Sequence, residues 1–399
     1  MSQGDSSPDP RAHDRVVALA EELLRERLPE STVVRTGPLT IEARTGDRDL
    51  RRIDLTRVVA DIGTWEEAEQ RRHLDELFGE MLAGSSTTEW EDAKQRILPA
   101  VRGVAHMFDG LQFRPVADFL CATLVLDLPR TLHFVTAEHV QRWGVDHRQL
   151  DRAALANLLD TTPSIEIDAV GGVIRIEGSD VASSWALVPR MLFSISKPLG
   201  DFVVLVPEFR RLWLVSTASE EGLQRELQAA LDLYVSSPRR LSPVPYRPTP
   251  VFVPWTPEAG RPCLRNVRRA VVTLATYSYA ATRTMLAPAL LRRGDDVWVA
   301  NHMAIEEEPD GDIYSVATCE RQVRRLLPKV DVVRLNDLDT GESMSVAWTD
   351  VERLAPGYLR PEPGEALAPR WRVDGWPDSS VLPALRSVAV KYTPPGGSP

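Results

Sequence analysis

Residues 116–160, VADFLCATLVLDLPRTLHFVTAEHVQRWGVDHRQLDRAALANLLD, decide the fold because the boundaries of three structural elements are explicit in them. The apolar run 119–128 is interrupted by Thr123 and Asp127 and is too short to cross a membrane. It therefore predicts a buried strand, which Pro129 ends because proline lacks the amide hydrogen that a strand ladder needs.

A helix is predicted after a second short strand at 131–135. Thr136 is placed to cap this helix, because a threonine at this position accepts a hydrogen bond from a free amide of the first turn. The helix carries His139 and Trp143, and we expect it to end at Gly144, since glycine adopts the left-handed conformation at little cost.

The next helix begins with a capping signal. Asp146 is its predicted cap, and Gln149 stands three residues later, the spacing at which two side chains satisfy each other's backbone amides. Leu150, Ala154 and Leu158 then repeat at helical spacing. We expect this stripe to face a hydrophobic core.

The segment 13–235 is predicted to be one α+β domain preceded by a disordered leader at 1–12. An amphipathic helix at 15–28 and strands at 32–54 begin the domain. A core-facing helix ending at Gly84 follows them. The domain therefore mixes short helices with hairpins.

The stretch SIEIDAVGGVIRIEG, residues 164–178, predicts a β-hairpin. Gly171 and Gly172 supply the positive φ angles that a two-residue turn requires. That turn sets the apolar residues on one face, namely Ile165, Ile167, Ala169, Ile174 and Ile176.

A proline-rich stretch lies at 236–262 and contains eight prolines. So many missing amide donors argue against a helix or a central strand, so we interpret it as a stiff connector between two domains. Tyr246 between Pro245 and Pro248 also fits a ligand of a proline-recognising module, although anchoring of the connector on its own domain is favoured.

The segment 263–370 is predicted to be a β-rich C-terminal module, and 371–399 a proline-rich tail. A strand followed by a helix is expected at 271–294, and a later hairpin turns at 339–341. The arginine-rich run 321–329 is typical of the solvated face of a helix, with a phosphate or acidic-partner site as the alternative.

Composition limits the class of protein. The chain has 399 residues, 43% of them hydrophobic, and a net charge of −10, which disfavours duplex nucleic acid and anionic membrane surfaces as partners. Cys121, Cys263 and Cys319 are far apart and odd in number, as expected of reduced thiols. With no signal pattern and no apolar run of membrane-spanning length, a cytoplasmic location is expected.

The stretch LDLPRTLHFVTAEHVQRWGVDHRQLDRAALANL resembles the core of the YtpQ-like proteins, a bacterial family of unknown function. The order of the surrounding elements, including DFVVLVPEFRRLWLVS, extends the resemblance over roughly residues 95–235. The resemblance implies a compact α+β domain in a bacterial protein. It brings no established catalytic residues.

Histidines and carboxylates are concentrated between residues 118 and 147. These are the side-chain types that a general acid–base site uses. The candidate catalytic residues are His133, His139, Asp127 and Asp146. The histidines are not spaced as a helical metal pair, so no metal or cofactor is expected.

The other motifs are weak. Asp339-Thr340-Gly341 matches the motif of aspartic proteases, yet it occurs once and is an ordinary turn sequence. Phosphate loops, dinucleotide fingerprints and nucleophile elbows are missing from the sequence. We therefore expect a non-catalytic binding or adaptor protein with an unknown protein or peptide partner. The alternative is a hydrolase that uses the histidine and aspartate cluster at 118–147.

Overall fold

A computed structural model describes residues 10–389 except for residues 38, 46–48, 85–88, 108–109, 129–131, 169, 250–251, 307–312 and 364–366. It is an α+β protein with a β-rich C-terminal region. The helices are α1 Pro10–Arg27, α2 Thr56–Ile62, α3 Glu67–Gly84, α4 Trp90–Ala93, α5 Ala137–Trp143, α6 His147–Asp160, α7 Pro189–Ile195, α8 Glu220–Ser236, α9 Leu264–Arg292, α10 Trp348–Leu354 and α11 Leu382–Ser387. Short 3₁₀ turns occupy Val104–His106, Ala182–Leu187 and Lys197–Leu199.

The strands among the described residues form five sheets. In the first half of the chain they are β1 Thr32–Gly37, β2 Thr40–Thr45, β3 Asp49–Asp54, β4 Ile97–Gly103, β5 Phe113–Ala117, β6 Leu120–Asp127, β7 Leu132–Phe134, β8 Ser164–Asp168 and β9 Val173–Glu177. They continue as β10 Phe202–Glu208, β11 Arg211–Ser216, β12 Arg240–Arg247, β13 Val253–Pro254, β14 Trp298–Val299, β15 Met303–Glu306 and β16 Ile313–Glu320. The last are β17 Arg324–Pro328, β18 Val332–Asn336, β19 Ser343–Ala347, β20 Arg360–Pro361 and β21 Arg370–Asp374.

The chain divides into two compact units, residues 1–97 with 125–134 and residues 98–124 with 135–399. In the first unit, β1, β2 and β3 form an antiparallel meander. The apolar side of α1 packs in one core with β2, α2 and α3, as predicted for its stripe; this core includes Val16, Leu23, Leu24, Ile41, Val59, Leu74 and Phe78.

An antiparallel sheet with the order β13-β12-β10-β11-β9-β8 dominates the second unit. Adjacent residues Val203 and Val204 of β10 are both buried, so the centre of the sheet is covered on both faces. On one face, Leu223 and Leu227 of α8 share a core with Val203 and Val215. The apolar side of α8 therefore packs on this sheet.

Two further sheets, β14-β17-β21-β20 and β15-β16-β18-β19, build the C-terminal part. The predicted hairpin around 339–341 is confirmed, because β18 and β19 are paired from Val332↔Ala347 to Asn336↔Ser343. The predicted 164–178 hairpin is also confirmed, but its loop is longer. Asp168 pairs with Val173, and only Gly172 of the two glycines has a positive φ, of 69°.

The prediction of an extended connector at 236–262 is wrong, because β12 is an interior strand of the six-stranded sheet. The prolines are accommodated by an irregularity. Tyr246 and Ser242 pair with Val204 and Val206, so Pro243 and Pro245 fall where the register with β10 shifts. The compact units accordingly divide near residues 97, 124 and 134 rather than at 236–262.

The predicted strand at the start of 271–294 is also wrong, because these residues continue the single long helix α9. The β-branched pair Val271 and Val272 suggested a strand. Burial at helical spacing prevails over that propensity, as Val267, Ala270, Leu274 and Ser278 are buried.

Two C-terminal predictions need the same kind of correction. Residues 321–329 contain strand β17 instead of a helix, and Arg325 is buried with an ion pair to Glu320. The predicted tail at 371–399 begins inside strand β21, which pairs with β17 and β20. Residues 390–399 lie outside the described residues.

Candidate functional site: an exposed sheet edge

The four predicted catalytic residues fall in both compact units. Asp127 and His133 belong to the first unit. Asp127 is exposed at the end of β6, and its backbone amide donates to the carbonyl of Arg96 at 2.9 Å. His133 is half-buried on β7, paired with Leu126. Neighbouring strands therefore carry these two side chains.

His139 and Asp146 lie in the second unit, where both act at helix starts. The Nδ1 atom of His139 accepts a hydrogen bond from the backbone amide of Thr136 at 3.1 Å and lies 2.8 Å from its hydroxyl. Because an imidazole nitrogen that accepts an N–H carries no proton, the Thr136 hydroxyl must also donate to it. His139 thus completes the cap of α5.

Asp146 caps α6 as the sequence predicted. Its carboxylate accepts from the Gln149 amide at 2.8 Å, and the Gln149 side chain accepts from the Asp146 amide at 3.0 Å. The exchange satisfies two backbone donors that the helix itself leaves free. Helix capping therefore accounts for Asp146 without a catalytic role.

The described residues contain no group of three or more histidine, cysteine, aspartate or glutamate side chains arranged to hold a metal ion. The three cysteines are free and buried. Burial raises the pKa of the Cys121 thiol to about 12 and that of the Cys263 thiol to about 11. Such thiols stay protonated near neutral pH and are poor nucleophiles.

The turn at 339–341 is organised by Asp337, whose carboxylate accepts from the Asp339 and Thr340 amides and pairs with Arg321 at 2.7 Å. Asp339 itself is exposed. In an aspartic protease the carboxylate of this motif shares a proton with a second carboxylate, whereas here the motif forms a turn. Its geometry is that of an ordinary turn sequence.

An open groove of about 380 Å³ lies between α8, α9 and the strands β15 and β16. Its charged lining residues are Asp232, Arg269 and Glu306, and Glu306 pairs with Arg269 and with Arg265 of α9. None of the predicted catalytic residues lines it. Asp232 accepts from the Gln228 side chain at 2.8 Å, so polar and apolar side chains both line the groove.

Strand β8 is an exposed strand of the second unit. It forms one edge of the six-stranded sheet, and all five of its residues are exposed. Ile165 pairs with Ile176, and Ile167 pairs with Ile174. The two isoleucines of β9 are 0% exposed, whereas Ile165 and Ile167 are 37% and 56% exposed. The buried apolar face of the sheet therefore continues, uncovered, to its edge.

Most other edge strands that the structure describes are protected in ways that prevent pairing with another chain. Strands β13 and β20 are two residues long and contain proline, and β5 contains Pro115. Strand β14 also has two residues and β7 has three. Strand β4 is buried throughout.

The longer edges are protected by charge or by helices. In β3, four of six residues are charged. The Val33 carbonyl of β1 accepts from Arg25 of α1 at 3.4 Å, and Glu306 ties β15 to α9. Strand β19 packs against α10 and α11. Of the described edges, β8 combines five residues, an exposed apolar face and no proline.

Comparison with protein-family models, with curated proteins and with solved structures found no match to this chain. The resemblance to the YtpQ-like family therefore stays a prediction. Within the described residues, no helix is long and apolar enough to pass through a bilayer.

Proposed function

We propose that this protein is a cytoplasmic, non-catalytic binding protein. It recruits a partner polypeptide whose extended segment pairs with the free edge of β8 as an additional strand. Strand addition uses two features, a row of free backbone groups and alternate side-chain positions that give specificity. An edge strand supplies the first of these, and the exposed isoleucines supply the second.

The observation that carries this proposal is the pairing of exposed Ile165 with buried Ile176 and of exposed Ile167 with buried Ile174. A partner strand beside β8 would cover the exposed pair. Burying apolar surface contributes roughly 25 cal/mol per Å², so covering both side chains favours association. The cytoplasmic assignment is supported by the three free, buried cysteines.

The test uses short synthetic peptides in which isoleucine alternates with a variable residue. We expect at least one such peptide to bind the full chain, measured by fluorescence anisotropy. The double variant Ile165→Lys/Ile167→Lys should lose this binding, because charged residues on an edge strand oppose pairing. Leu338→Lys is the matched control at a 78% exposed turn residue, and it should bind as the original chain does.

Failure of every peptide to bind would contradict strand addition. Equal binding by the double variant would contradict the assignment to β8. Circular dichroism of the double variant checks that both lysines are tolerated, as expected of exposed positions.

A further inference from the structure

The polar face of β8 is acidic. Ser164, Glu166 and Asp168 alternate with the two isoleucines and are all exposed. The Asp168 carboxylate is used locally, because it accepts from the Gly171 amide at 2.7 Å in the hairpin loop. Glu166, at the centre of the strand, has no such backbone partner among the described residues.

The residue directly across from Glu166 is Arg175 of β9. Its guanidinium is held by the buried Glu226 carboxylate at 2.6 Å and lies 5.6 Å from the centre of the Trp213 ring. This pairing draws the Arg175 charge toward α8. In the part of the chain that the structure describes, no cation lies within ion-pair distance of the Glu166 carboxylate.

The inner neighbour of β8 indicates what an outer neighbour would need. Ile174, Arg175 and Ile176 of β9 place an aliphatic residue beside each isoleucine of β8 and a basic residue across from Glu166. Cross-strand pairs of this kind stabilise antiparallel sheets, and like charges across a pair destabilise them. A strand of the same pattern fits the outer edge of β8.

A second copy of β8 fits less well in two-fold antiparallel pairing. If the two-fold axis passes beside Glu166, the Glu166 carboxylates of the two copies lie opposite each other. If it passes beside Ile167, Glu166 of each copy lies opposite Asp168 of the other. A pair centred on Ile165 avoids both clashes but sets Ile167 against Pro163. Proline cannot donate to the ladder, so that pairing is short.

We infer that the partner segment of β8 is an extended strand in which aliphatic residues flank a central arginine or lysine, and that it comes from another protein rather than a second copy of this chain. The inference rests on the proposed strand addition and adds the chemistry of the partner. The free Glu166 carboxylate attracts a cationic side chain, so the site prefers a partner strand with a basic residue at its centre.

The test compares peptides with isoleucine on both sides of a central residue that is arginine, glutamine or glutamate. The arginine peptide should bind tightest and the glutamate peptide about twofold to thirtyfold more weakly, with a difference that shrinks at high salt. Glu166→Gln should remove the preference, and Glu166→Lys should reverse it. The control Glu352→Lys, an exposed acidic position on α10, should keep the original preference.

Equal affinity for the three peptides in the original chain and in both Glu166 variants would overturn the partner chemistry and leave strand addition standing. Lack of binding by all three would instead remove the proposed function. Concentration-dependent self-association in analytical ultracentrifugation, abolished by Ile165→Lys/Ile167→Lys, would assign β8 to a second copy and overturn the inference.

Discussion

His139 lies with its Nδ1 atom 2.8 Å from the hydroxyl of Thr136, three residues earlier in the chain. The same nitrogen accepts the Thr136 backbone amide at 3.1 Å. A histidine that the sequence marked as a catalytic candidate thus completes a helix cap. Its buried ring also lies 5.4 Å from the ring of Trp143 on the same helix.

His139→Ala should lower the free energy of unfolding by about 0.5 to 2 kcal/mol, the usual effect of losing a cap. His139→Gln should cost less, because glutamine is an ordinary acceptor at this helix position. Urea unfolding of both variants measures the difference. Equal losses would contradict the cap assignment and favour a packing role of the ring.

Asp146→Ala should likewise cost about 0.5 to 2 kcal/mol, since it removes the acceptor of the Gln149 amide. Asp146→Asn keeps an acceptor and loses only the favourable interaction of a negative charge with the start of α6, so it should cost less. An unchanged unfolding curve for Asp146→Ala would return Asp146 to the list of candidate functional residues.

The pH dependence of stability should carry a contribution from His302. Burial, the largest cause, lowers the pKa of His302 to about 4, with Asp331 opposing and Arg370 adding to the shift. The unfolded chain then binds a proton at a higher pH than the folded chain. Stability is therefore fully present above about pH 6.5 and falls as the pH drops toward 4, by about 2 to 3 kcal/mol.

His302→Gln is the matching variant, because an amide can still bond to the Thr276 hydroxyl, which lies 2.9 Å from Nδ1. Its unfolding free energy should decline less than that of the original chain over the same pH range. Parallel pH curves for the two proteins would show that His302 does not titrate as described.

The thiols should resist alkylation in the folded chain. Burial raises the pKa of Cys121 to about 12, that of Cys263 to about 11, and that of Cys319 as well. Iodoacetamide near neutral pH should label them slowly without denaturant and quickly with it, because the thiolate is the reactive form. Rapid labelling of one cysteine in the folded chain would revive a cysteine nucleophile.

A fragment of residues 13–235 should not form the six-stranded sheet cooperatively. It lacks β12, which pairs with β10 in the interior of the six-stranded sheet, and it lacks α9, which packs on β12. Amide hydrogen exchange of β9, β10 and β11 in the fragment is the measurement, because it reports on this sheet and not on the first compact unit. Strong protection of these three strands in the monomeric fragment would support a domain boundary at 236–262 after all.

Local chemistry made much of the fold predictable. The capping residues Thr136 and Asp146, the left-handed Gly144 with φ 63°, and the alternation of the 164–178 hairpin act over a few residues. Such signals are complete within a short window of sequence. The corresponding elements α5, α6, β8 and β9 were therefore predictable.

The wrong secondary-structure predictions fall where contacts between residues far apart in the sequence determine the structure. Pro243 and Pro245 argue against a strand locally, but the register shift between β12 and β10 accommodates them. Val271 and Val272 favour a strand locally, but burial of the α9 face makes them helical. The hairpin pattern alone also does not reveal that β9 is flanked by β11 and that β8 is left at the edge. Sheet order depends on long-range pairing, so the candidate site was not predictable.

The most direct test of the central claim is amide hydrogen exchange of β8 with and without the arginine-centred peptide at saturation. Strand addition predicts that outward-facing amides of Ser164–Asp168 become protected, because they gain hydrogen bonds to the added strand. If the peptide binds at saturation but the amide hydrogen exchange rates throughout β8 stay unchanged, the account is contradicted.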